Sequence, residues 1–274
     1  MSNPLSKFFR QPALYVELPS RGRYWPPGTL ELNENGQLAV YPMTARDELT
    51  LKTPDALLNG QAVVDVLKSC IPQIKDPWRM PAMDSDFLLI AIRIASYGEN
   101  MSFDSSCPKC SETSSYEMYL PDVIDKIQAP NFEQPLHLGE IEIYLKPQTY
   151  KETNDAGMRM YQEQRLLNTV NDSNMSQDEK VRQFNAIFKD LTSINLASVA
   201  SHVKSVLTSD GEVTDPKFIA ELLDNVPKKV WQRVEEFIKD VGKQGKLPDN
   251  NVECDSCKHA YTLPIEFDYA TFFE

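Results

Sequence analysis

Four of the five cysteines in this 274-residue chain fall in two Cys-x-x-Cys pairs. The pairs are Cys107 with Cys110 and Cys254 with Cys257. A Cys-x-x-Cys segment presents two sulfurs from one tight turn, and two such turns supply the four thiolates that a tetrahedral zinc site prefers. The sequence therefore predicts one shared four-cysteine zinc site.

The two pairs are separated by 143 residues (111–253), far more than within an ordinary zinc ribbon. A Tyr-bearing, strand-like segment nevertheless follows each pair, SSYEMYL after the first and AYTLPIEF after the second, as in a ribbon hairpin. The intervening block resembles a helical insertion, with a capped helix start at Thr149 and a Gly-rich connector at 242–245. We expect the zinc to be structural, because four thiolates leave no open position for water.

Other interpretations of the cysteines remain open. A pair of thioredoxin-like redox motifs would need a βαβ context, which the pattern does not indicate. Four incidental cysteines fit the paired spacing poorly. His259 lies two residues after Cys257 and is an alternative ligand, although a solvated loop histidine is the simpler expectation. Cys70 lies in a predicted helix, where we expect a small buried apolar group.

Sequence motifs for catalysis are absent. The chain has no Gly-x-x-x-x-Gly-Lys phosphate loop, no Gly-x-Gly-x-x-Gly fingerprint and no Gly-x-Ser-x-Gly elbow. The three histidines, His137, His202 and His259, belong to no recognisable catalytic motif. We therefore expect a protein that is not an enzyme.

Charge and hydropathy disfavour two classes of partner, nucleic acid and membrane. Lys and Arg number 28 and Asp and Glu number 40, so the net charge is 28 − 40 = −12, which repels nucleic-acid phosphates. The basic clusters Arg21/Arg23 and Lys228/Lys229 are small. No apolar run approaches the roughly 18 residues of a membrane helix, and the N-terminus has no signal-peptide pattern. We expect no membrane contact, and a reducing cytosol as the compartment.

The pattern of elements predicts an α+β fold. Residues 13–41 are β-rich, and Thr44 to Asp47 resembles a capping box. Residues 84–98 form the strongest core helix, with Asp caps at its start and Gly98 at its end, and residues 149–247 are predicted to be almost entirely helical. The expected organisation is an N-terminal β/helical domain (1–98), the first half of the zinc ribbon with a strand (99–148), a helical insertion (149–248) and the second half of the ribbon (249–274).

The stretch LPSRGRYWPPG, residues 18–28, is too rich in Pro and Gly for a central strand. Its residues Arg21, Arg23, Tyr24 and Trp25 are of types enriched at protein interfaces, which favours a docking surface. The alternative is a plain β connection whose Tyr and Trp cap the core.

Several segments together resemble the baseplate hub and hub-assembly proteins of T-even-type contractile-tailed bacteriophages. That family typically has a Leu-Pro-Ser-x-Gly-x-x-Tyr-like segment, a Pro-Met-Thr-x-x-Asp-Glu segment and an Ile-Arg-x-x-x-Tyr-Gly helix end. Here they correspond to Leu18–Tyr24, which is one residue shorter, Pro42–Glu48 and Ile92–Gly98. The resemblance covers about the first 110 residues, and the Pro-x-Thr-Tyr-Lys-Glu start at residue 147 and the second cysteine pair also fit.

The resemblance implies a hub subunit or a hub assembly factor that acts through contacts with other tail and baseplate hub proteins. Its location would be the host cytoplasm during assembly or the tail baseplate of the virion. It also favours docking for residues 21–25. The alternative function is that of a zinc-ribbon protein that binds nucleic acid or a transcription complex, although only Lys109 and Lys258 add basic charge beside the cysteines. A thiol oxidoreductase is a third hypothesis.

Overall fold

The computed structural model divides into two compact units, and the second is an insertion in the first. The first unit comprises Met1–Ala129 together with Gly245–Glu274, and the second comprises Pro130–Gln244. Helices and strands occur in both units, which confirms the α+β fold class. The residues that the structure describes are 4–53, 60–172, 176–245, 247, 250–263 and 272–273.

The N-terminal part of the first unit combines a short antiparallel pair of strands with helices. Strand β1 (Leu14–Val16) pairs with β2 (Leu38–Val40), and the Pro- and Gly-rich loop lies between them. The helices are α1 (Ala45–Leu51), α2 (Gln61–Cys70) and α3 (Ser85–Tyr97), and 3-10 turns occur at Ser6–Phe8, Pro77–Arg79 and Ala82–Asp84. The core draws on strands and helices alike; its fully buried members include Leu18, Leu38, Leu67, Leu88, Leu89 and Ile92.

Local sequence signals account for the start of α1 and the end of α3. At the start of α1, the Asp47 backbone N–H donates to Thr44 Oγ1 at 3.3 Å and the Thr44 N–H donates to Asp47 Oδ2 at 2.8 Å, which confirms the predicted capping box. Helix α3 ends at Gly98, whose φ of 95° is a conformation that side chains with a Cβ rarely adopt. The core helix predicted at 84–98 is therefore confirmed.

The cysteine-bearing part of the first unit consists of two antiparallel hairpins. In the first, β3 (Asn100–Ser106) pairs with β4 (Thr113–Tyr119), and the short helix α4 (Leu120–Ile124) follows. The second hairpin pairs β9 (Asn250–Glu253) with β10 (Ala260–Leu263). The strand-like sequence after the second cysteine pair, AYTLPIEFDY, extends to residue 269, and its residues 264–269 lie outside the described residues.

The inserted unit packs helices on a four-stranded antiparallel sheet. The strand order is β5 (Leu136–Leu138), β6 (Ile141–Leu145), β7 (Val203–Thr208) and β8 (Gly211–Val213). Helices α5 (Tyr150–Asp172) and α6 (Gln177–His202) connect β6 to β7, and α7 (Pro216–Asn225) and α8 (Lys228–Gln244) follow the sheet. The core contains Ile143, Leu145, Val199, Val203, Val206, Ile219, Leu223, Val234 and Val241.

The prediction that residues 149–247 are almost entirely helical needs a correction, because this block contains strands β7 and β8. Strand β7 pairs with β6, with Ile143 opposite Val206, so the strand before the helices and the hairpin after them form one sheet. The segment VKSVLT and the dipeptide Asp210-Gly211 carry the hairpin signal that the helical interpretation missed. No helix among the described residues is long and apolar enough to cross a membrane.

Candidate metal centre

The fold brings the two cysteine pairs together. Cys107 and Cys110 lie in the turn between β3 and β4, and Cys254 and Cys257 lie in the turn between β9 and β10. The four sulfurs all lie within 4.8 Å of one another. The Sγ atoms of Cys107 and Cys257 are 3.7 Å apart, and so are those of Cys110 and Cys254. These four thiols could hold a metal ion.

The two turns have the same local geometry. In the first, the residue after the second cysteine, Ser111, has a φ of 61°, and its N–H donates to the Cys107 carbonyl at 2.9 Å. In the second, Lys258 takes the equivalent place with a φ of 56°, and its N–H donates to the Cys254 carbonyl at 2.9 Å. This left-handed residue reverses the chain after each pair, so that both sulfurs of a pair face the same side.

Hydrogen bonds around the sulfurs give the two thiols of the first turn different pKa values. Burial raises the pKa of Cys107, but hydrogen bonds from the backbone N–H groups of Cys110 and Lys109 and from the Cys110 and Cys257 thiols bring it down to about 7. The pKa of Cys110 rises to about 12: a backbone hydrogen bond at Glu112 lowers it, but burial and the hydrogen bonds to the other three thiols outweigh that effect. The cluster therefore stabilises a first thiolate readily, which suits a cation-binding site.

Aromatic side chains connect the two hairpins. The Tyr116 and Tyr261 hydroxyls are 3.0 Å apart, and their rings meet edge to face with centroids 6.4 Å apart. Phe103 packs against Tyr116 from one side, with ring centroids 5.9 Å apart. The ring of His259 stacks on Tyr261 at 6.3 Å, and His259 is not in the four-sulfur cluster. The tyrosines noted after each cysteine pair thus form the contact between the hairpins.

The loop that carries Arg21, Arg23, Tyr24 and Trp25 folds around a buried carboxylate. The Ser20 hydroxyl donates to Asp84 Oδ2 at 2.5 Å, and the Trp25 indole N–H donates to the same oxygen at 2.8 Å. Asp84 has no exposed surface, and its burial raises its pKa more than the bonds from Ser20 and Trp25 lower it. Asp84 makes no side-chain cap bond to α3, which corrects the capping role expected from the sequence.

The four residues of the predicted docking surface differ in exposure. Trp25 is 8% exposed, so its side chain caps the core. The side chain of Arg21 is 73% exposed and forms an ion pair of 3.3 Å with Glu17. Arg23 is exposed and Tyr24 is half-buried. The loop thus presents its arginines outward, while the indole anchors it from within.

The fifth cysteine is buried apart from the cluster. Cys70 has no exposed surface, which confirms the expected buried group, and burial together with Asp47 raises its pKa to about 12. The guanidinium of Arg10 lies 3.8 Å from its sulfur and donates to the Ser69 carbonyl at 2.7 Å. Cys70 is therefore a protonated thiol that lacks the reactivity of a thiolate.

Comparison with known proteins supplies one match. The family model described as T4 bacteriophage base plate protein matches residues 28–274, nearly the whole chain. The comparisons with curated proteins and with solved structures each found no match. The matched residues include both cysteine pairs and the inserted unit.

Proposed function

We propose that this chain, which belongs to the T4 bacteriophage base plate protein family, is a baseplate hub subunit or hub assembly factor that acts through protein–protein contacts. Family membership supports a place in the baseplate, and the hub-like segments at Leu18–Tyr24 and Pro42–Glu48 support the hub in particular. The proposed role is not enzymatic, and the description of the family as a base plate protein supports this.

The metal that fits the four sulfurs is zinc. A Zn–S bond of about 2.3 Å places the sulfurs of a regular tetrahedron about 3.8 Å apart. The two cross-hairpin Sγ–Sγ distances of 3.7 Å match that edge. Zinc bound by Cys107, Cys110, Cys254 and Cys257 would have no open position, so its role would be structural.

The proposed zinc would connect the chain segments on either side of the inserted unit. Cys107 and Cys110 precede Pro130–Gln244, and Cys254 and Cys257 follow it. A metal bonded to all four residues closes the hairpins into one ribbon and fixes the points where the chain leaves and re-enters the first unit.

The loop at residues 18–28 is the proposed contact with another hub protein. Arg21 and Arg23 are exposed, and Tyr24 is half-buried beside them. The buried Trp25 supports this contact indirectly, because its hydrogen bond to Asp84 holds the loop in one conformation. A loop that is ordered before binding loses less entropy when it docks, which favours affinity.

The experiment that tests the proposal is an affinity purification of the tagged chain from the phage-infected cells that produce it. Co-purifying proteins are identified by mass spectrometry, and zinc is quantified in the same sample. We expect tail and baseplate hub proteins, and their recovery should fall for the double variant Arg21→Glu/Arg23→Glu. Lys228→Glu/Lys229→Glu, the other small basic pair, provides a matched control.

Recovery of polymerase subunits or nucleic acid without tail proteins would overturn the hub proposal in favour of a nucleic-acid-binding ribbon. The chain's presence in purified virions would place it in the finished baseplate. Its presence only in cell extracts would identify an assembly factor of the host cytoplasm.

A further inference from the structure

The four sulfurs of the candidate metal centre are also placed for disulfide formation. Four cysteines can pair in three ways, one within the turns and two across the hairpins. The Sγ atoms of Cys107 and Cys257 are 3.7 Å apart, and so are those of Cys110 and Cys254. One cross-hairpin pairing therefore has both of its sulfur pairs close together at once. Because an S–S bond is about 2.05 Å long, each pair has to approach by only about 1.7 Å.

The two hairpins are separate elements, whereas each turn is held by its own backbone. Strands β3 and β4 form one two-stranded sheet and β9 and β10 form another, and side chains connect the two sheets. Within the turns, the Ser111 N–H donates to the Cys107 carbonyl and the Lys258 N–H donates to the Cys254 carbonyl, each at 2.9 Å. Closure across the hairpins needs a small shift of one sheet against the other. Closure within a turn acts against a backbone that these hydrogen bonds hold.

Exposure separates the two cross-hairpin pairings. Cys110 is exposed and Cys257 is half-buried, whereas Cys107 and Cys254 are buried. A small oxidant reaches an accessible thiol first, and a neighbouring thiol then resolves the mixed disulfide. In the pairing with the 3.7 Å separations, each bond joins one accessible thiol to one buried thiol. The other pairing would join Cys107 to Cys254, both of which are shielded from the oxidant.

We propose that a small-molecule disulfide such as oxidised glutathione converts the cluster into two cross-hairpin disulfides, Cys107–Cys257 and Cys110–Cys254. In the second pair, Cys110 Sγ attacks the oxidant, and one glutathione leaves as a thiol with the proton of Cys110. Cys254 Sγ then attacks Cys110 Sγ, and the other glutathione leaves as a thiol with the proton of Cys254. Each cysteine pair thus reduces one molecule of oxidant. A zinc ion held by the four sulfurs is released as they are oxidised, and the glutathione thiolates then take their protons from water.

The two disulfides keep the hairpins joined without a metal. They link residues 150 and 144 positions apart, so they close the chain around the whole inserted unit. Disulfides within the turns would leave that loop open, and the constraint on the unfolded chain is larger for a long loop than for a short one. If the proposed baseplate role holds, this junction persists when the protein leaves the reducing cytosol. The pairing itself does not depend on that role.

Disulfide mapping of the intact chain tests the pairing. The protein as purified is treated with oxidised glutathione, unfolded with an alkylating agent present, and digested with trypsin and Asp-N. Trypsin cleaves after Lys109 and Asp-N cleaves before Asp255, so the four cysteines fall on four different peptides. Mass spectrometry should find both proposed pairs, and the bound zinc should be lost. Cys70, which has no exposed surface, should be recovered as an alkylated thiol. Bonds within the turns, the other cross-hairpin pairing, or an unoxidised cluster would each overturn the proposal.

A cleavable chain supplies an independent measurement. A recognition sequence for a site-specific protease is inserted between α5 and α6, and the oxidised protein is cleaved there. A non-reducing denaturing gel should show one band, which separates into two fragments after reduction. Two fragments before reduction would contradict the proposal, because only cross-hairpin bonds join them.

Two matched variants test the choice of partners with the same gel, since each keeps one cysteine in each turn. Cys110→Ser/Cys254→Ser retains the proposed pair Cys107 and Cys257 and should give linked fragments. Cys110→Ser/Cys257→Ser retains the two buried cysteines and should give less linked product after the same time, because the oxidant reaches neither thiol readily. Equal yields from the two variants would show that exposure and sulfur separation do not select the pairing.

Discussion

The two cysteine-bearing hairpins and the inserted unit differ in how much apolar surface they bury. Among the described residues of strands β3, β4, β9 and β10, Ser114 is the only buried one, and the turns bury Cys107 and Cys254. The inserted unit instead packs a contiguous cluster of buried aliphatic side chains between its sheet and its helices. The inserted unit therefore depends on apolar burial, whereas the hairpins meet through aromatic contacts and, in our proposal, through a metal.

This difference follows from where each region lies in the sequence. Strands β6 and β7 are joined by two helices, and the second of them, α6, contributes Val199 to the core beneath the sheet, so burial accompanies the closure of that loop. The two hairpins are brought together across the whole insertion, with Cys110 and Cys254 being 144 positions apart. Closing such a long loop has an entropic cost, and small polar strands bury too little surface to offset it. The proposed metal–thiolate bonds would supply the missing free energy through only four residues.

Loss of a zinc ligand should have the largest effect and should be confined to the ribbon. Cys110→Ser is expected to abolish stoichiometric zinc binding, because a structural zinc site contributes on the order of 10 kcal/mol to its fold. Elemental analysis should show the loss of zinc, and limited proteolysis should show new cleavage in Asn100–Tyr119. Cys70→Ala provides the control, since Cys70 lies outside the cluster and zinc should be retained. Unchanged zinc content and protease sensitivity in Cys110→Ser would refute the structural role of the metal.

Truncation of a core side chain should affect the inserted unit and spare the metal. Leu223 is 3% exposed and belongs to the aliphatic core. Leu223→Ala should lower the free energy of unfolding by about 3 kcal/mol, because it removes buried methyl groups and leaves a cavity. Urea denaturation measures the lower free energy of unfolding, and hydrogen exchange shows whether the effect lies within Pro130–Gln244. Zinc loss in this variant would show that the two regions do not differ as described.

The loop at residues 18–28 should show an effect of intermediate size, because hydrogen bonds to the buried Asp84 carboxylate stabilise an otherwise apolar region. Trp25→Phe keeps an aromatic ring but removes the indole N–H that donates to Asp84 at 2.8 Å. We expect a loss of about 1–3 kcal/mol in the free energy of unfolding, because the buried carboxylate loses a donor. Thermal unfolding checks this loss, and Tyr15→Phe, at a tyrosine that is 57% exposed, is the control. Equal effects of both changes would argue against the Asp84 bond as the anchor.

Features set by neighbouring residues could be predicted from the sequence, whereas most features set by distant contacts could not. The exception is the meeting of the two cysteine pairs across 143 residues, which the preference of zinc for four thiolates predicts. The two cysteine turns, the Thr44 capping box and the α3 helix depend on residues within a few positions, and all were predicted. Strand β7 was missed because its partner β6 lies on the other side of two long helices. The burial of Asp84 was also missed, since a carboxylate beside a helix start predicts a cap equally well.

The smallest expected effect is a difference in pH response between the two regions. Burial lowers the pKa of His202 in the inserted unit, where its Nδ1 lies 2.8 Å from the Ser198 carbonyl. As pH falls below about 6.5, the unfolded state binds a proton that the folded state excludes. The stability of the inserted unit should therefore fall with pH, by at most about 1.4 kcal/mol per pH unit from this residue.

Asp84 in the first unit changes stability with pH in the opposite direction to His202. Burial raises its pKa, so its protonated form is favoured in the folded state, and its contribution to stability is lost as pH rises through the raised pKa. Urea unfolding of His202→Gln and of the parent chain between pH 7.5 and 5.5 isolates the histidine, because Asp84 is the same in both. The parent chain should lose more stability than the variant over this range. Parallel pH profiles would show that His202 does not link the inserted unit to pH.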